Sequence, residues 1–121
     1  MKNLIYPFVF LGLMTSCSDD PDPSCNVGNV VTDLPWLADL LAEEENHFIG
    51  QTYSILYTGA YKSKTVFVIG NCCPNCSMAP PAVYDCTGRV LGYMGTDGIE
   101  WEDIKDSRII WRSSNNQCGG A

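Results

Sequence analysis

Cationic side chains are scarce in this sequence. Its 121 residues include seven Lys and Arg against fourteen Asp and Glu, which gives a formal net charge of −7. Nucleic-acid binding needs a basic surface that neutralises phosphates, so this balance argues against a nucleic-acid partner. An acidic surface instead attracts basic partners, although acidity also serves solubility alone.

Residue patterns for catalysis are scarce too. His47 is the sole histidine, and the G-x-S-x-G pattern of serine hydrolases is absent. Only one C-x-x-C occurs, at Cys73–Cys76, so a zinc site would need Cys86 with His47 or Cys118 as further ligands. The sequence therefore favours a protein that is not an enzyme, without a metal or other cofactor.

Long hydrophobic runs are missing as well. The longest, Leu4 to Met14, has eleven residues and is too short to span a bilayer as a helix. It follows the positive Lys2 and precedes "TSC", Thr15 to Cys17, a pattern that resembles a bacterial lipoprotein signal peptide. The expectation is cleavage after residue 16 and acylation of Cys17, because multiple acyl chains give stable membrane anchoring.

The expected domain organisation follows from this signal. Residues 1–16 form the signal peptide, residues 17–32 the lipidated cysteine and an acidic flexible tether, and residues 33–121 a single small domain. Loss of Lys2 leaves six basic against fourteen acidic residues, a formal charge of −8. The expected location is the outer membrane, with the lipid-anchored chain at the cell surface or on the periplasmic face.

The domain is predicted to be α+β. Asp33 as N-cap and Pro35 in the first turn predict a helix from about Leu34 to His47 that ends near Gly50. Alternation from Thr52, the apolar "TVFVI" at 65–69, the hairpin pattern "AVYDCTGRVLGY" at 82–93 and "SRIIWR" near the end predict four to five antiparallel strands. "TVFVI" is apolar on both faces and predicts a central strand, and Gly88 predicts a positive φ in the hairpin turn. The expected fold is one helix packed on a small antiparallel sheet, in two layers stapled by disulfides.

Six cysteines remain after Cys17, an even number that is typical of a disulfide framework in a small exported domain. The candidates are Cys25, Cys72, Cys73, Cys76, Cys86 and Cys118. Adjacent cysteines on an extended chain point to opposite faces, so Cys72 and Cys73 should have different partners. A bridge from the Cys72–Cys76 segment to Cys86 is the simplest closure, and Cys25 and Cys118 would tie down the termini.

Several segments resemble a family of small uncharacterised lipoproteins from Bacteroidota. They are "DLPWLADLL", the paired "CC" after an apolar strand, "VYDCTGRVL" and the closing "IIW", which span about 33–111. The resemblance implies an anchored extracytoplasmic domain and assigns no catalytic residue. Members of that family often carry a further cysteine where this chain has Gly92, which implies that the disulfide pattern here differs.

Two functions remain open. The first is a non-enzymatic binding or structural module for a basic protein partner, with Trp101 and its acidic neighbours Glu100, Glu102 and Asp103 as the contact. The second is a thiol–disulfide oxidoreductase that uses Cys73 and Cys76. The redox motif normally opens a helix, and Pro80–Pro81 prevents one soon after Cys76.

Overall fold

The computed structural model describes residues 23–119 of the chain. Three helices come first: α1 (Val30–Asp33), α2 (Pro35–Glu45) and α3 (Phe48–Tyr53). Five strands follow: β1 (Ser54–Tyr61), β2 (Lys64–Asn71), β3 (Ala82–Tyr84), β4 (Val90–Tyr93) and β5 (Lys105–Arg112), with a 3₁₀ turn at Trp101–Asp103 before β5. The protein is therefore α+β, and the expected Cys17 site lies outside the described residues.

The predicted helix from about Leu34 to His47 corresponds to α2, and the short helices α1 and α3 flank it. Asp33 does not cap α2, because the N-cap residue of α2 is Leu34, without a side-chain hydrogen bond. Asn29 caps α1, since its Oδ1 accepts from the Val31 N–H. Pro35 stands at the start of α2 as predicted. His47 lies at the start of α3, where its Nδ1 accepts from the Gly50 N–H and caps the helix. The folded part also includes residues 23–32, which the sequence had suggested belong to the tether.

Gly50 allows α2 and α3 to approach closely. It does not end the helix, as its pattern had suggested, but lies buried inside α3. A Cβ at this position would lie 2.2 Å from the Glu44 carbonyl oxygen and 2.8 Å from Cε1 of His47. Only a residue without a side chain fits against the end of α2 at this distance.

We therefore expect Gly50→Ala to destabilise the protein by about 1–3 kcal/mol, the usual cost of overpacking. Urea unfolding followed by circular dichroism should show a lower midpoint with an unchanged m-value. Gly119→Ala is the matched control, because a Cβ there would meet nothing within 4 Å. Equal midpoints for the two variants would contradict the close approach.

The five strands form one antiparallel sheet in the order β4-β3-β2-β1-β5. The predicted central position of "TVFVI" is confirmed, because β2 lies in the middle of the sheet. Lys62 and Ser63 connect β1 to β2 with positive φ angles of 49° and 63°, which suit a two-residue hairpin turn. The strand predicted from Thr52 begins two residues later, because Thr52 and Tyr53 belong to α3.

Apolar side chains form two buried clusters. One contains Leu34, Leu37, Leu41, Leu56 and Phe67 and so includes residues of both α2 and the sheet. The other contains Val66, Val68, Val83, Met94, Ile99 and Ile104. Because successive β2 residues alternate between the clusters, both faces of the central strand are covered.

Three disulfide bonds are present: Cys25–Cys86, Cys72–Cys118 and Cys73–Cys76, with Cα–Cα distances of 5.6, 5.8 and 5.5 Å. The staple prediction is confirmed, and Cys72 and Cys73 do have different partners. The predicted bridge from the Cys72–Cys76 segment to Cys86 is wrong. Cys86 is bonded instead to Cys25, because the folded region begins before residue 33 and brings Cys25 to the β3–β4 turn.

The β3–β4 turn is held by Asp85. Its Oδ1 accepts from the Thr87 N–H, the Thr87 hydroxyl and the Arg89 N–H. Burial works to raise the pKa of this carboxyl, but the hydrogen bonds from Thr87 and Arg89 and the charge of Lys64 outweigh it and lower the pKa. Gly88 adopts φ 87°, the positive value predicted for this turn.

Candidate functional site

A groove of about 670 Å³ lies beside the end of β2. Strand β2 continues to Asn71, whereas β3 pairs only with Phe67 and Val68. The chain between the two strands, residues 72–81, contains no helix or strand and leaves the edge of β2. The groove lies where the two strands separate, between α2, the end of β2, the 78–82 segment and the 3₁₀ turn.

Trp101 stands at one end of this groove and is 43% exposed. Its ring lies edge-on to Tyr57, with the ring centroids 5.0 Å apart and the planes at 63°. This contact fixes the indole while leaving a large part of its surface open to solvent. A large aromatic side chain that is exposed to solvent and also held in place by a neighbouring ring is typical of an interface anchor.

The acidic neighbours of Trp101 have structural roles as well. The Asp103 side chain accepts from the Glu100 N–H, and the Glu100 side chain accepts from the Asp103 N–H, so the two form a capping box. Glu102 is exposed on the same turn. The structure thus brings all three predicted contact carboxylates next to Trp101, and the capping box holds the turn in shape.

The glutamates at the end of α2 have partners that the sequence did not reveal. The Ser54 hydroxyl donates to Oε1 of Glu44. The N–H and hydroxyl of Ser114 donate to the two carboxylate oxygens of Glu45, at 2.9 and 2.8 Å. Glu44 and Glu45 therefore tie the end of α2 to Ser54 and Ser114.

The tryptophans Trp36 and Trp111 are packing residues. Trp36 is half-buried: its Nε1 donates to the Cys86 carbonyl at 2.9 Å, and its ring contacts Phe67 and Tyr84. A Cβ on Gly88 would lie 2.8 Å from the Trp36 ring, so this turn lies directly against the indole. Trp111, like Trp36, packs against the apolar cluster that contains Leu37 and Phe67.

Tyr84 connects this packed region to the groove, which it lines. Burial raises the pKa of its hydroxyl, and the charges of Tyr93 and Glu44 raise it further. The phenol is therefore neutral at physiological pH and is available as a hydrogen-bonding group.

The redox candidates Cys73 and Cys76 are bonded to each other in a short loop. The Cys73 N–H donates to Oδ1 of Asn71 at 2.9 Å, which ties the loop to the end of β2. Residues 77–81 form no helix after Cys76. The helix N-terminus that lowers the thiol pKa in thioredoxin-like proteins is therefore lacking at this place.

No protein-family model, curated protein or solved structure matches the chain. The resemblance to Bacteroidota lipoproteins thus stays a prediction. None of the helices within residues 23–119 is long and apolar enough to cross a membrane. Over the same residues, no cluster of three or more His, Cys, Asp or Glu side chains is suited to hold a metal ion.

Sequence reasoning found Trp101 but missed the groove. The residues that line the groove come from separate segments of the chain, so no local motif predicts it. The signal that was available is Pro80–Pro81 directly before β3. Proline has no backbone N–H, so this pair keeps the ladder with β2 from continuing.

Proposed function

We propose that this chain is a lipid-anchored binding module that is not an enzyme and that holds a basic protein partner at the surface around Trp101. The anchor is the acylated Cys17, and the location is the outer membrane, at the cell surface or on the periplasmic face. The observation that carries the proposal is a supported but exposed indole beside the groove and among carboxylates.

The proposal includes a two-layer domain in which α2 packs on the sheet. It is supported by the cluster that joins Leu37 and Leu41 to Leu56 and Phe67, and by the contact of Trp36 with Phe67. Such a layer would hold the groove walls on α2 and β2 in a fixed relation. A preformed site loses less conformational entropy when it binds.

Electrostatics favours a basic partner. The mature chain carries a formal charge of −8, and complementary charge mainly raises the association rate and selects the partner. Trp101 supplies the apolar contact that charge alone lacks, since tryptophan is enriched among residues that dominate binding energy.

The thiol–disulfide oxidoreductase is the second candidate, and the bond between Cys73 and Cys76 is the observation that favours it. The irregular segment after Cys76 argues against it, because no helix is present to stabilise a thiolate. The binding module is therefore the better supported of the two.

The test is a titration of the mature chain, residues 17–121 produced without the leader and with Cys17→Ser so that it carries no lipid, against a panel of basic proteins. Binding should weaken strongly when salt is raised, because the Debye length is about 8 Å at physiological ionic strength. Trp101→Ala should weaken it by about 30-fold, the effect of losing a binding hot spot.

Phe48→Ala is the matched control, because Phe48 is 71% exposed on α3 and does not line the groove. Its affinity should equal that of the parent chain. Binding that ignores both salt and Trp101, or no binding at all, would overturn the proposal.

A further inference from the structure

We propose that the groove beside β2 receives an arginine side chain of the partner, with Glu44 as the carboxylate that meets the guanidinium. The inference rests on the proposed function and specifies its chemistry: the acidic turn at Trp101 attracts the partner, and the groove selects one residue of it. The shape of the groove, its composition and the position of Glu44 each support this assignment.

The groove has the dimensions of a built site. Its volume of about 670 Å³ lies within the usual range of roughly 300–1,000 Å³ for ligand sites. One wall is the end of β2, and the opposite wall includes Met78, Ala79 and Pro81. The Cys73–Cys76 bond closes the chain that links these walls, so the opening is bounded by covalently restrained backbone.

The composition of the groove suits a cation with a flat face. Among the residues of the 23–119 range that line it, Tyr57, Tyr84 and Trp101 are aromatic and Glu44 is the one acidic residue. Lysine and arginine do not occur among the described residues in its walls. Aromatic rings attract cations through their faces, and a guanidinium also stacks on them because it is planar.

Glu44 is placed where a cation gains most. It belongs to the last turn of α2, at the negative end of the helix dipole. The Ser54 hydroxyl donates to its Oε1 and so orients the carboxylate. Glu44 contributes, after burial and Tyr93, to the raised pKa of Tyr84, so its charge acts across this part of the groove.

Arginine fits these groups better than lysine does. A guanidinium presents several N–H donors in one plane, so it can meet a carboxylate and lie against a ring at the same time. A lysine ammonium is a compact, strongly hydrated charge, and it loses more hydration on entering an apolar groove. The groove should therefore prefer arginine to lysine, although the two side chains carry the same charge.

The experiment titrates three blocked peptides into the mature Cys17→Ser chain, with tryptophan fluorescence as the signal because Trp101 lines the groove. Glycine alternates in them with arginine, with lysine or with citrulline, the neutral analogue of arginine. We expect the arginine peptide to bind most tightly and the citrulline peptide to bind least. Glu44→Gln should weaken arginine-peptide binding by about tenfold or more, because it removes a charge-assisted hydrogen bond.

Glu43→Gln is the matched control, since it removes the same charge from the neighbouring residue of α2, which is exposed and does not line the groove. Its effect should be under about twofold, as expected for a screened surface charge. Ala79→Trp gives a second variant that leaves Glu44 intact: its exposed position allows a larger side chain, which should fill the groove and abolish binding.

Equal effects of Glu44→Gln and Glu43→Gln, or full binding by Ala79→Trp, would overturn the arginine site. An equal affinity for the arginine and lysine peptides would do the same. If the wild-type chain ignored these peptides but bound basic proteins in a salt- and Trp101-dependent way, the arginine site would fail and the proposed function would stand.

Discussion

Replacing Cys25 and Cys86 together by serine is expected to lower the thermal midpoint by more than about 15 °C. The bond joins residues 61 positions apart, and closing a loop of this length removes about 4 kcal/mol of chain entropy from the unfolded state. A domain of this size shifts by about 4–8 °C for each kcal/mol. The bond also joins the segment before α1 to the β3–β4 turn, so its loss releases both.

The double substitution Cys73→Ser and Cys76→Ser is the control for this effect. It also removes one disulfide bond, but the two cysteines are only three positions apart in the sequence. The expected loss in the free energy of unfolding is therefore about 2 kcal/mol or less. Thermal unfolding measured by circular dichroism gives both values. A shift for Cys73/Cys76 as large as that for Cys25/Cys86 would mean that the short bridge has a structural role that loop entropy does not explain.

Replacing Cys17 by serine is expected to abolish lipid attachment completely. The thiol is the acyl acceptor in the proposed anchor, and serine cannot replace it in lipoprotein processing. Bacteria fed an alkyne-labelled fatty acid should incorporate the label into the wild-type protein and not into the variant.

The Cys17→Ser variant keeps its leader peptide, which could itself hold the protein at the membrane, so a second experiment tests the chain without the leader. The chain from Ser18, exported behind an ordinary cleavable signal peptide, should partition into the aqueous phase of a detergent extraction, and the wild-type protein into the detergent phase. Label on the Cys17→Ser variant, or detergent partitioning of the chain from Ser18, would contradict the lipoprotein prediction.

Local sequence signals predicted the strands well. The continuous apolar run at 65–69 identified β2 as central, because such a run is covered on both faces. Gly88 and Asp85 marked the β3–β4 turn through backbone conformation and side-chain hydrogen bonding, which act over a few residues. These features depend on near neighbours in the chain, and the sequence displays them directly.

The predicted helix corresponds to α2, but the short helices on either side of it were not predicted. Gly50 has the pattern of a helix end, yet it is buried within α3 against the Glu44 carbonyl. Three glutamates lie near the negative end of the α2 dipole, an unfavourable position, and Ser54 and Ser114 supply donors to two of them. Ser114 lies 69 residues from Glu45, so no local pattern contains this information.

The candidate site divides in the same way. Trp101 could be predicted because it is an aromatic residue with acidic neighbours in the sequence, and a few consecutive residues are enough to show this. Glu44 and Tyr84 gained importance only when the fold placed α2 and β3 on the same groove. The disulfide pairing also depends on the fold, since six cysteines allow fifteen connectivities.

The Cys25–Cys86 bond also determines how mechanical load would travel through an anchored protein. Cys25 lies eight positions after Cys17 in the sequence, so in the proposed anchored protein tension from the membrane would reach this covalent bond first. From Cys86 the load passes into the β3–β4 turn, two residues from Tyr84, and residues 26–85 are bypassed. A pull on Tyr84 would therefore be connected to the membrane by a short, largely covalent path through Cys86 and Cys25, whereas a pull on Glu44 would load α2.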